Sequence, residues 1–314
     1  MGNPLVRVLS AVLLVMLVTA CGGRGGGGAG WITFGTQGSG TNQFSVAYGI
    51  FVDTGGRIYV TDSGFDNGRV VRIDDMSGKG WTTFGTPGSG TDQFSEPRGI
   101  FVDTAGRIYV ADTGNNRIVR INDMSGAGWT TFGTKGSGTN QVDGPSGIFV
   151  DSAGRIYVAD TGNSRIVRID DMSGAGWTTF GTTGSGANQL GGTGDIFVDT
   201  AGRIYVTDGG NNRIVRINDM SGAGWATFGA FGEGTNQFFY LHAIFVDAGG
   251  RIYATDNTRV IRINDMSGAG WATFGAFGSG TNQFKLLSGI FVDANGRIYV
   301  VDSNNARIVR IDRL

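Results

Sequence analysis

Residues 99–123 read GIFVDTAGRIYVADTGNNRIVRIND, and nearly the same line occurs six times in this chain of 314 residues. The Ile-Phe-Val-Asp element, or its close equivalent, recurs at spacings of 50, 48, 48, 48 and 46 residues. It begins at Ile50, Ile100, Ile148, Ile196, Ile244 and Ile290. A sustained period of this length indicates a repeat architecture rather than two unrelated domains.

Each copy contains four short apolar runs, which we name strands A to D. In the second copy they span 100–102, 107–111, 117–121 and 129–132, and turns rich in Asp, Gly and Asn separate them. Strands A and B are almost wholly apolar, whereas strand C carries Arg117 and Arg120 and strand D carries Thr130 and Thr131. Burial should therefore decrease outward from A. We predict an all-β, six-bladed β-propeller of four-stranded antiparallel blades.

The two ends of the repeat region predict closure of the ring. Six tryptophans mark the D strands, but the first, in Trp31-Ile32-Thr33-Phe34, precedes every A strand. The last copy stops at Leu314, just after its C strand. We expect the N-terminal strand to complete the last blade, since an open solenoid would instead need atypical capping repeats.

Composition restricts the classes of partner. The 58 glycines have no collagen period and belong to turns. The net charge of −1, with Lys and Arg spread over all repeats, lacks the basic stripe of a nucleic-acid-binding protein. One histidine, His242, and one cysteine, Cys21, exclude a zinc site built from several His or Cys ligands.

The first 21 residues, MGNPLVRVLSAVLLVMLVTAC, have the layout of a secretory signal peptide, with one charge before a short apolar run. Their end resembles the bacterial lipobox, in which the cysteine is lipidated. We predict a signal peptide over 1–20, lipidated Cys21 with a Gly-rich tether over 21–30, and the propeller over 31–314. The protein would then be exported and anchored by lipid at the bacterial cell envelope. An ordinary cleaved signal with a leftover cysteine is the alternative.

The stretch 88–121, GSGTDQFSEPRGIFVDTAGRIYVADTGNNRIVRI, resembles the NHL repeat. It shares the Gln-Phe, Pro-x-Gly-Ile-x-Val-Asp, Ile-Tyr-Val-Ala-Asp and Gly-Asn-Asn-Arg-Ile landmarks, and the resemblance extends over 31–314 in six copies. It implies a six-bladed propeller. It implies little about activity, because such propellers serve as binding platforms, sensor domains, RNA binders and occasionally lyases.

Differences between the copies are confined to one face of the predicted disc. The A–B and C–D turns hardly vary, whereas the B–C turns vary in length and the D–A loops vary in chemistry. Before strand A the loops read SVAY, SEPR, VDGPS, LGGTG, FFYLH and KLLS. Because loops on a rigid scaffold commonly carry binding sites, we expect the variable face to bind a partner. Relaxed constraint on an idle surface is the alternative.

The variable face has an apolar arc on blades 5, 6 and 1 and a polar arc on blades 2 to 4. The apolar arc comprises Phe231, Phe239, Tyr240, Leu241, Phe277, Leu286, Leu287, Val46, Tyr48 and Phe65. The polar arc comprises Glu96, Arg98, Asp143 and Asp195. We predict a monomeric binding module, without a cofactor, for a protein, peptide or apolar ligand. The alternative is that several of these side chains pack between blades, as we expect for Phe44, Phe94, Phe238 and Phe284.

An enzyme is the runner-up. Six-bladed propeller enzymes of the gluconolactonase and lyase kinds place metal ligands and acid–base residues at the channel mouth. Such an enzyme could use His242 as its base, with Asp195 and Arg98 beside it, and could hold Ca²⁺ with Asp143 and Asp195. The simpler interpretation of His242 is a polar loop histidine. A scaffold with neither site is the third possibility.

Overall fold

The computed structural model describes residues 30–64 and 67–314. The predicted signal peptide, Cys21, nearly all of the tether, and Phe65 lie outside the described residues. Within the described part of the chain, no helix has the length and apolarity that crossing a membrane requires.

Six antiparallel sheets of four strands each confirm the predicted fold class. In the order A, B, C, D, the strands are Ala47–Val52, Ile58–Asp62, Arg69–Ile73 and Thr82–Phe84 in blade 1; Pro97–Val102, Ile108–Asp112, Arg117–Ile121 and Thr130–Phe132 in blade 2; Pro145–Val150, Ile156–Asp160, Arg165–Ile169 and Thr178–Phe180 in blade 3; Thr193–Val198, Ile204–Asp208, Arg213–Ile217 and Ala226–Phe228 in blade 4; Ile244–Val246, Ile252–Thr255, Val260–Ile263 and Ala272–Phe274 in blade 5; and Leu287–Val292, Ile298–Asp302, Arg307–Ile311 and Trp31–Phe34 in blade 6. Short 3₁₀ turns join B to C in blades 2, 3, 4 and 6.

The N-terminal strand closes the ring. Trp31–Phe34 pairs antiparallel with Arg307–Ile311, from Trp31 opposite Ile311 to Phe34 opposite Ile308. The order D, C, B, A in blade 6 is therefore built from both ends of the repeat region, as predicted. No blade is left with a missing outer strand, so the ring has no incomplete terminal repeat.

Strand A begins earlier than the sequence pattern predicts. In blade 2 it starts at Pro97, which pairs with Asp112, and the register shifts before Ile100 pairs with Val110. This β-bulge recurs in blades 1, 3, 4 and 6. Such a bulge adds an unpaired residue to one strand, and a pattern of apolar residues alone does not show it. The bulge lies beside the channel mouth and positions the residues discussed below.

The core lies between neighbouring blades. One cluster joins Tyr109 and Ile118 of blade 2 to Ile148 and Ile156 of blade 3, and five similar clusters complete the circle. The phenylalanines of the Gln-Phe motif are fully buried, as expected: Phe44, Phe94, Phe238 and Phe284. Each blade thus needs its neighbours to bury its faces, which is the energetic basis of a closed ring.

A buried ion pair connects the loops of every blade. In blade 2, both Asp112 oxygens are engaged: one accepts the Ser95 N–H at 2.7 Å, and the other accepts Arg117 Nε at 2.7 Å and Asn115 Nδ2 at 2.8 Å. Arg117 also donates to loop carbonyls and lies over the Trp129 ring. Each of these pairs ties the D–A loop to the B–C turn. The equivalent pairs are Asp62–Arg69, Asp160–Arg165, Asp208–Arg213, Asp256–Arg259 and Asp302–Arg307.

We expect Asp112→Ala to lower the free energy of unfolding by about 3 kcal/mol, because Arg117 would keep its buried position without a counter-ion. Urea unfolding of the full chain measures this loss. Asp123→Ala is the matched control, since Asp123 is exposed on a C–D turn and should contribute less than about 1 kcal/mol. Equal destabilisation by the two variants would contradict the structural role of the pair.

Candidate functional site

Each blade brings one residue to the mouth of the central channel. These residues lie two positions before the core isoleucine of strand A, within the bulge in every blade except blade 5, and line the mouth or the chamber beneath it: Tyr48, Arg98, Ser146, Gly194, His242 and Ser288. The six positions are equivalent in sequence but differ in chemistry. The mouth is therefore asymmetric although the scaffold is nearly six-fold.

A closed ring of phenylalanines narrows the channel below this mouth. Each A strand contributes one: Phe51, Phe101, Phe149, Phe197, Phe245 and Phe291. Neighbouring ring centroids are 4.9 to 5.1 Å apart around the whole circle. The planes of neighbouring rings are inclined by 57 to 61° to one another. Neighbouring blades of a six-bladed ring are related by a rotation of about 60°. The angle between the ring planes equals this rotation only when the planes are parallel to the channel axis, so the phenylalanine rings stand upright around the channel. The Phe ring was not predicted, although six identical residues at one position were visible in the sequence.

The mouth and the Phe ring bound a chamber of about 80 Å³ that opens on the variable face. Its walls are largely backbone, because the residues before the core isoleucines of strand A are small in five blades: Gly49, Gly99, Gly147, Ala243 and Gly289. A β-carbon on Gly49 would lie 2.3 Å from the Arg98 carbonyl oxygen, so close strand packing requires glycine there. The sixth position is Asp195.

Asp195 is a carboxylate held by backbone donors inside the chamber. One oxygen accepts the Ile196 N–H at 2.9 Å, and the other accepts the Ile244 N–H of the next blade at 3.1 Å. Burial raises the Asp195 pKa to about 6, and the two N–H donors oppose this rise without cancelling it. Asp195 can therefore exchange a proton near neutral pH.

His242 lines the same chamber. Its Nε2 lies 2.9 Å from Asn257 Oδ1, and its backbone N–H donates to the Thr255 carbonyl. Burial lowers the His242 pKa, and Asn257 and Asp256 oppose the shift more weakly. The imidazole is therefore neutral at pH 7. Because the Asn257 oxygen can only accept, Nε2 carries the proton and donates it, which leaves Nδ1 of the neutral ring as a hydrogen-bond acceptor.

Tyr48 and Arg98 form the opposite side of the mouth. The Arg98 guanidinium carbon lies 5.1 Å from the centre of the Tyr48 ring, within cation–π range. Glu96 approaches Arg98 only to 3.8 Å, and its carboxylate is half exposed. Burial raises the Tyr48 pKa, which Arg98 partly offsets. Tyr48 therefore remains a neutral phenol at physiological pH.

Outside the channel, four aromatic residues form an exposed surface on blades 4 to 6, which we name the rim patch: Phe231, Phe239, Tyr240 and Phe277. The Phe231 centroid lies 5.6 Å from that of Phe239 and 6.0 Å from that of Tyr240. Phe231, Tyr240 and Phe277 are 57, 52 and 72% exposed. Phe239 and Phe277 line one groove between them.

Other predicted apolar-arc residues do not reach this surface. Leu241 and Leu287 are buried in the core between blades, and Leu286 is partly buried. Val46 is exposed but lies on blade 1. The structure therefore brings together only part of the arc, because the residue three positions before the core isoleucine of each strand A packs inward on the blade interface.

The predicted acidic residues do not form a cluster. Asp195 lines the chamber, whereas Asp143 is not among the chamber-lining residues and donates its N–H to Asp160 of its own blade. Among the described residues, no group of three or more His, Cys, Asp or Glu side chains is placed to hold a metal ion.

Replacing Asp195 should change how stability depends on pH. Because the folded-state pKa of about 6 exceeds the ordinary value of 3.8, the protonated Asp195 carboxyl stabilises the folded protein below about pH 4, and this contribution is lost as the pH rises through 6. From pH 4 to 7, the unfolding free energy of the wild type should therefore fall by up to about 3 kcal/mol relative to that of Asp195→Asn. Urea unfolding at a series of pH values measures it. A pH-independent difference would show that Asp195 titrates normally.

Comparison with known proteins agrees with this architecture. A family model of the NHL repeat matches residues 94–121 and 143–169. Virginiamycin B lyase from Staphylococcus aureus superimposes with a TM-score of 0.61 at 16% identity, covering 91% of this chain and 100% of the lyase chain. A gluconolactonase from Xanthomonas campestris gives 0.62 at 14% identity, covering 86 and 87%. A chain of a nidogen/laminin complex gives 0.57 at 20% identity, covering 79 and 94%.

No curated protein matches the chain in sequence. At such low identities, the structural similarities establish the fold and not the activity. The matched repeats and the six observed blades agree with each other. The chain is accordingly a six-bladed β-propeller that contains NHL repeats.

Proposed function

We propose that this protein is an envelope-anchored binding module that presents a partner site on its D–A and B–C loop face. The observation that carries the proposal is the rim patch. Single exposed apolar residues are normal on a protein surface, but contiguous exposed aromatic side chains mark interaction sites. Aromatic side chains also supply much of the binding energy in protein interfaces.

The rim patch departs from the repeat. Positions equivalent to Phe231 and Phe277 carry Gln37, Pro87, Lys135 and Thr183 in the other blades. The B–C turn of blade 5 has only Asn257 and Thr258 between Asp256 and Arg259, and it lacks the 3₁₀ turn of blades 2, 3, 4 and 6. This shorter turn borders the groove between Phe239 and Phe277. Two independent changes therefore meet at one place.

Tyr240 occupies a left-handed loop position that most blades share. It has a φ of 60°, where blades 3 and 4 use Gly144 and Gly192 and blades 2 and 6 use Glu96 and Leu286. The backbone conformation is therefore a feature of the loop in five blades, and the exposed aromatic side chain is what distinguishes blade 5.

The position of the N-terminal strand supports a loop face that points away from the membrane. Trp31–Phe34 leads into the loop face at Phe34, so Trp31 lies at the opposite face, where the Gly30 carbonyl accepts the Asp312 N–H at 3.0 Å. A lipid on Cys21 and a short tether would thus hold the invariant face toward the membrane. The loop face would point away from it, toward partners.

Removing the rim patch should abolish selective peptide binding. Peptides selected from a random library on the wild-type protein should lose at least tenfold in affinity for the Phe231→Ser, Tyr240→Ser double variant, since the anchor side chains are gone. Ile32→Ser removes an exposed apolar side chain from the outer strand of blade 6 and should leave affinity unchanged. Equal binding to the double variant, or failure to select any peptide, would contradict the proposal.

A lyase or lactonase is the second candidate, because Asp195 and His242 share one chamber with Tyr48. The similar structures include proteins described as a lyase and a gluconolactonase, although the low identity does not transfer their activity. A divalent cation would need ligands beyond Asp195, whose two oxygens both accept backbone N–H groups. This donor set fits a binding chamber better than a metal centre.

We expect no change in the thermal unfolding midpoint when chelator is replaced by Ca²⁺, Mg²⁺ or Zn²⁺. A bound cation at 100 times its Kd would add about 2.7 kcal/mol and raise the midpoint by several degrees. A cation-specific shift that Asp195→Asn removes would instead favour the enzyme, and lactones would then be the substrates to assay.

A further inference from the structure

We propose that the chamber between the mouth and the Phe ring binds a small apolar primary ammonium ion, with the Asp195 carboxylate as its counter-ion. This site shares a face with the rim patch but none of its residues. The inference therefore adds a ligand class to the proposed binding role, and either proposal can fail without the other.

The first argument is an unbalanced charge. The six buried aspartates at the ends of the B strands, such as Asp112, each have an arginine partner within 3.0 Å. Asp195 has no Lys, Arg or His within ion-pairing distance among the described residues. Enclosed carboxylates are ordinarily paired with a cation, because desolvation of an unpaired charge is costly. An ammonium group entering the chamber would supply the missing partner.

The second argument is the shape of the chamber. At the positions equivalent to Asp195, the other blades carry only glycine or alanine, and a β-carbon on Gly49, Gly99 or Gly289 would meet a backbone oxygen of the next blade, so the chamber walls there are backbone. The floor consists of the six phenylalanines of the Phe ring. A hydrocarbon or aryl group can pack on these rings while its ammonium group reaches Asp195, which combines apolar burial with a charge-assisted hydrogen bond.

The third argument concerns the other charges near the chamber. Arg98 lies at the mouth, outside the chamber-lining residues, and Glu96 faces it at 3.8 Å. His242 is neutral at pH 7 because burial lowers its pKa, and Tyr48 is a neutral phenol. The charge within the chamber is therefore that of Asp195. This balance favours a cation in the chamber over an anion held by Arg98.

Asp195 also bridges blades 4 and 5 through the Ile244 N–H, which is a purely structural explanation for the residue. A structural bridge predicts no preference among ligands of different charge. A counter-ion predicts a preference that depends on the sign of the ligand charge. Three ligands of one shape can therefore separate the two roles.

The experiment is calorimetric titration of the full chain at neutral pH with benzylammonium, benzyl alcohol and benzoate. We expect benzylammonium to bind at least tenfold more tightly than either of the others. Asp195→Asn should reduce its affinity to that of benzyl alcohol. Asp123→Asn, which removes the same charge from the invariant face, and Phe231→Ser, which changes the rim patch away from the mouth, should both retain wild-type affinity.

Tighter binding of benzoate, equal affinity of wild type and Asp195→Asn for benzylammonium, or no binding of benzylammonium would each overturn the proposal. The pH profile of the wild type provides a second measurement that remains valid should Asp195→Asn fold poorly. Affinity should fall at least tenfold from pH 7 to 5, because Asp195 becomes neutral and His242, with Asp256 behind it, gains charge in the same direction. Arg98, Glu96 and Tyr48 are the other ionisable side chains at the mouth, and Tyr48 stays a neutral phenol over this range because burial raises its pKa. A flat profile would also overturn the proposal.

Discussion

Closure of the ring by the pairing of Trp31–Phe34 with Arg307–Ile311 is the constraint on which the rest of the structure depends. The apolar faces of a blade are buried only by its neighbours, so an open array of the same repeats would leave two faces exposed. Closure also fixes the number of blades, and with it the width of the channel. Six phenylalanine rings can contact one another around the whole channel, with neighbouring centroids about 5 Å apart, only because six blades complete the circle.

The buried Asp–Arg pairs hold the loops on one face of this rigid ring in a defined conformation. Each aspartate fixes the end of a D–A loop through a backbone N–H, and its arginine fixes the B–C turn beside it. The backbone of the loops is therefore held in the same way in every blade. Side chains that point away from these contacts can change freely, which explains how an aromatic rim patch and a polar chamber coexist on one nearly symmetric scaffold.

The two candidate sites depend on different features of the loop face. The rim patch depends on exposed side chains and on the short B–C turn of blade 5, so it suits a partner with apolar groups of its own. The chamber depends on the small residues that surround Asp195 and suits a ligand that fits within the channel. The similar structures carry different descriptions, including a lyase and a nidogen/laminin complex, which agrees with function residing in sites rather than in the fold.

The sequence by itself determined the six blades, their strand order and the closing N-terminal strand, because these follow from local periodicity and from turn residues that recur in every copy. It also identified the face that varies and the burial of Phe44 and its equivalents. It did not show the bulge in strand A, the Phe ring, or the burial of Leu241 beside exposed Tyr240. Those features depend on contacts between blades that are distant in sequence. Asp195 appears in the sequence as one acidic loop residue. Only the tertiary structure decided that it lines the chamber with no Lys, Arg or His of the described residues within ion-pairing distance, since burial and charge balance are properties of the assembled ring.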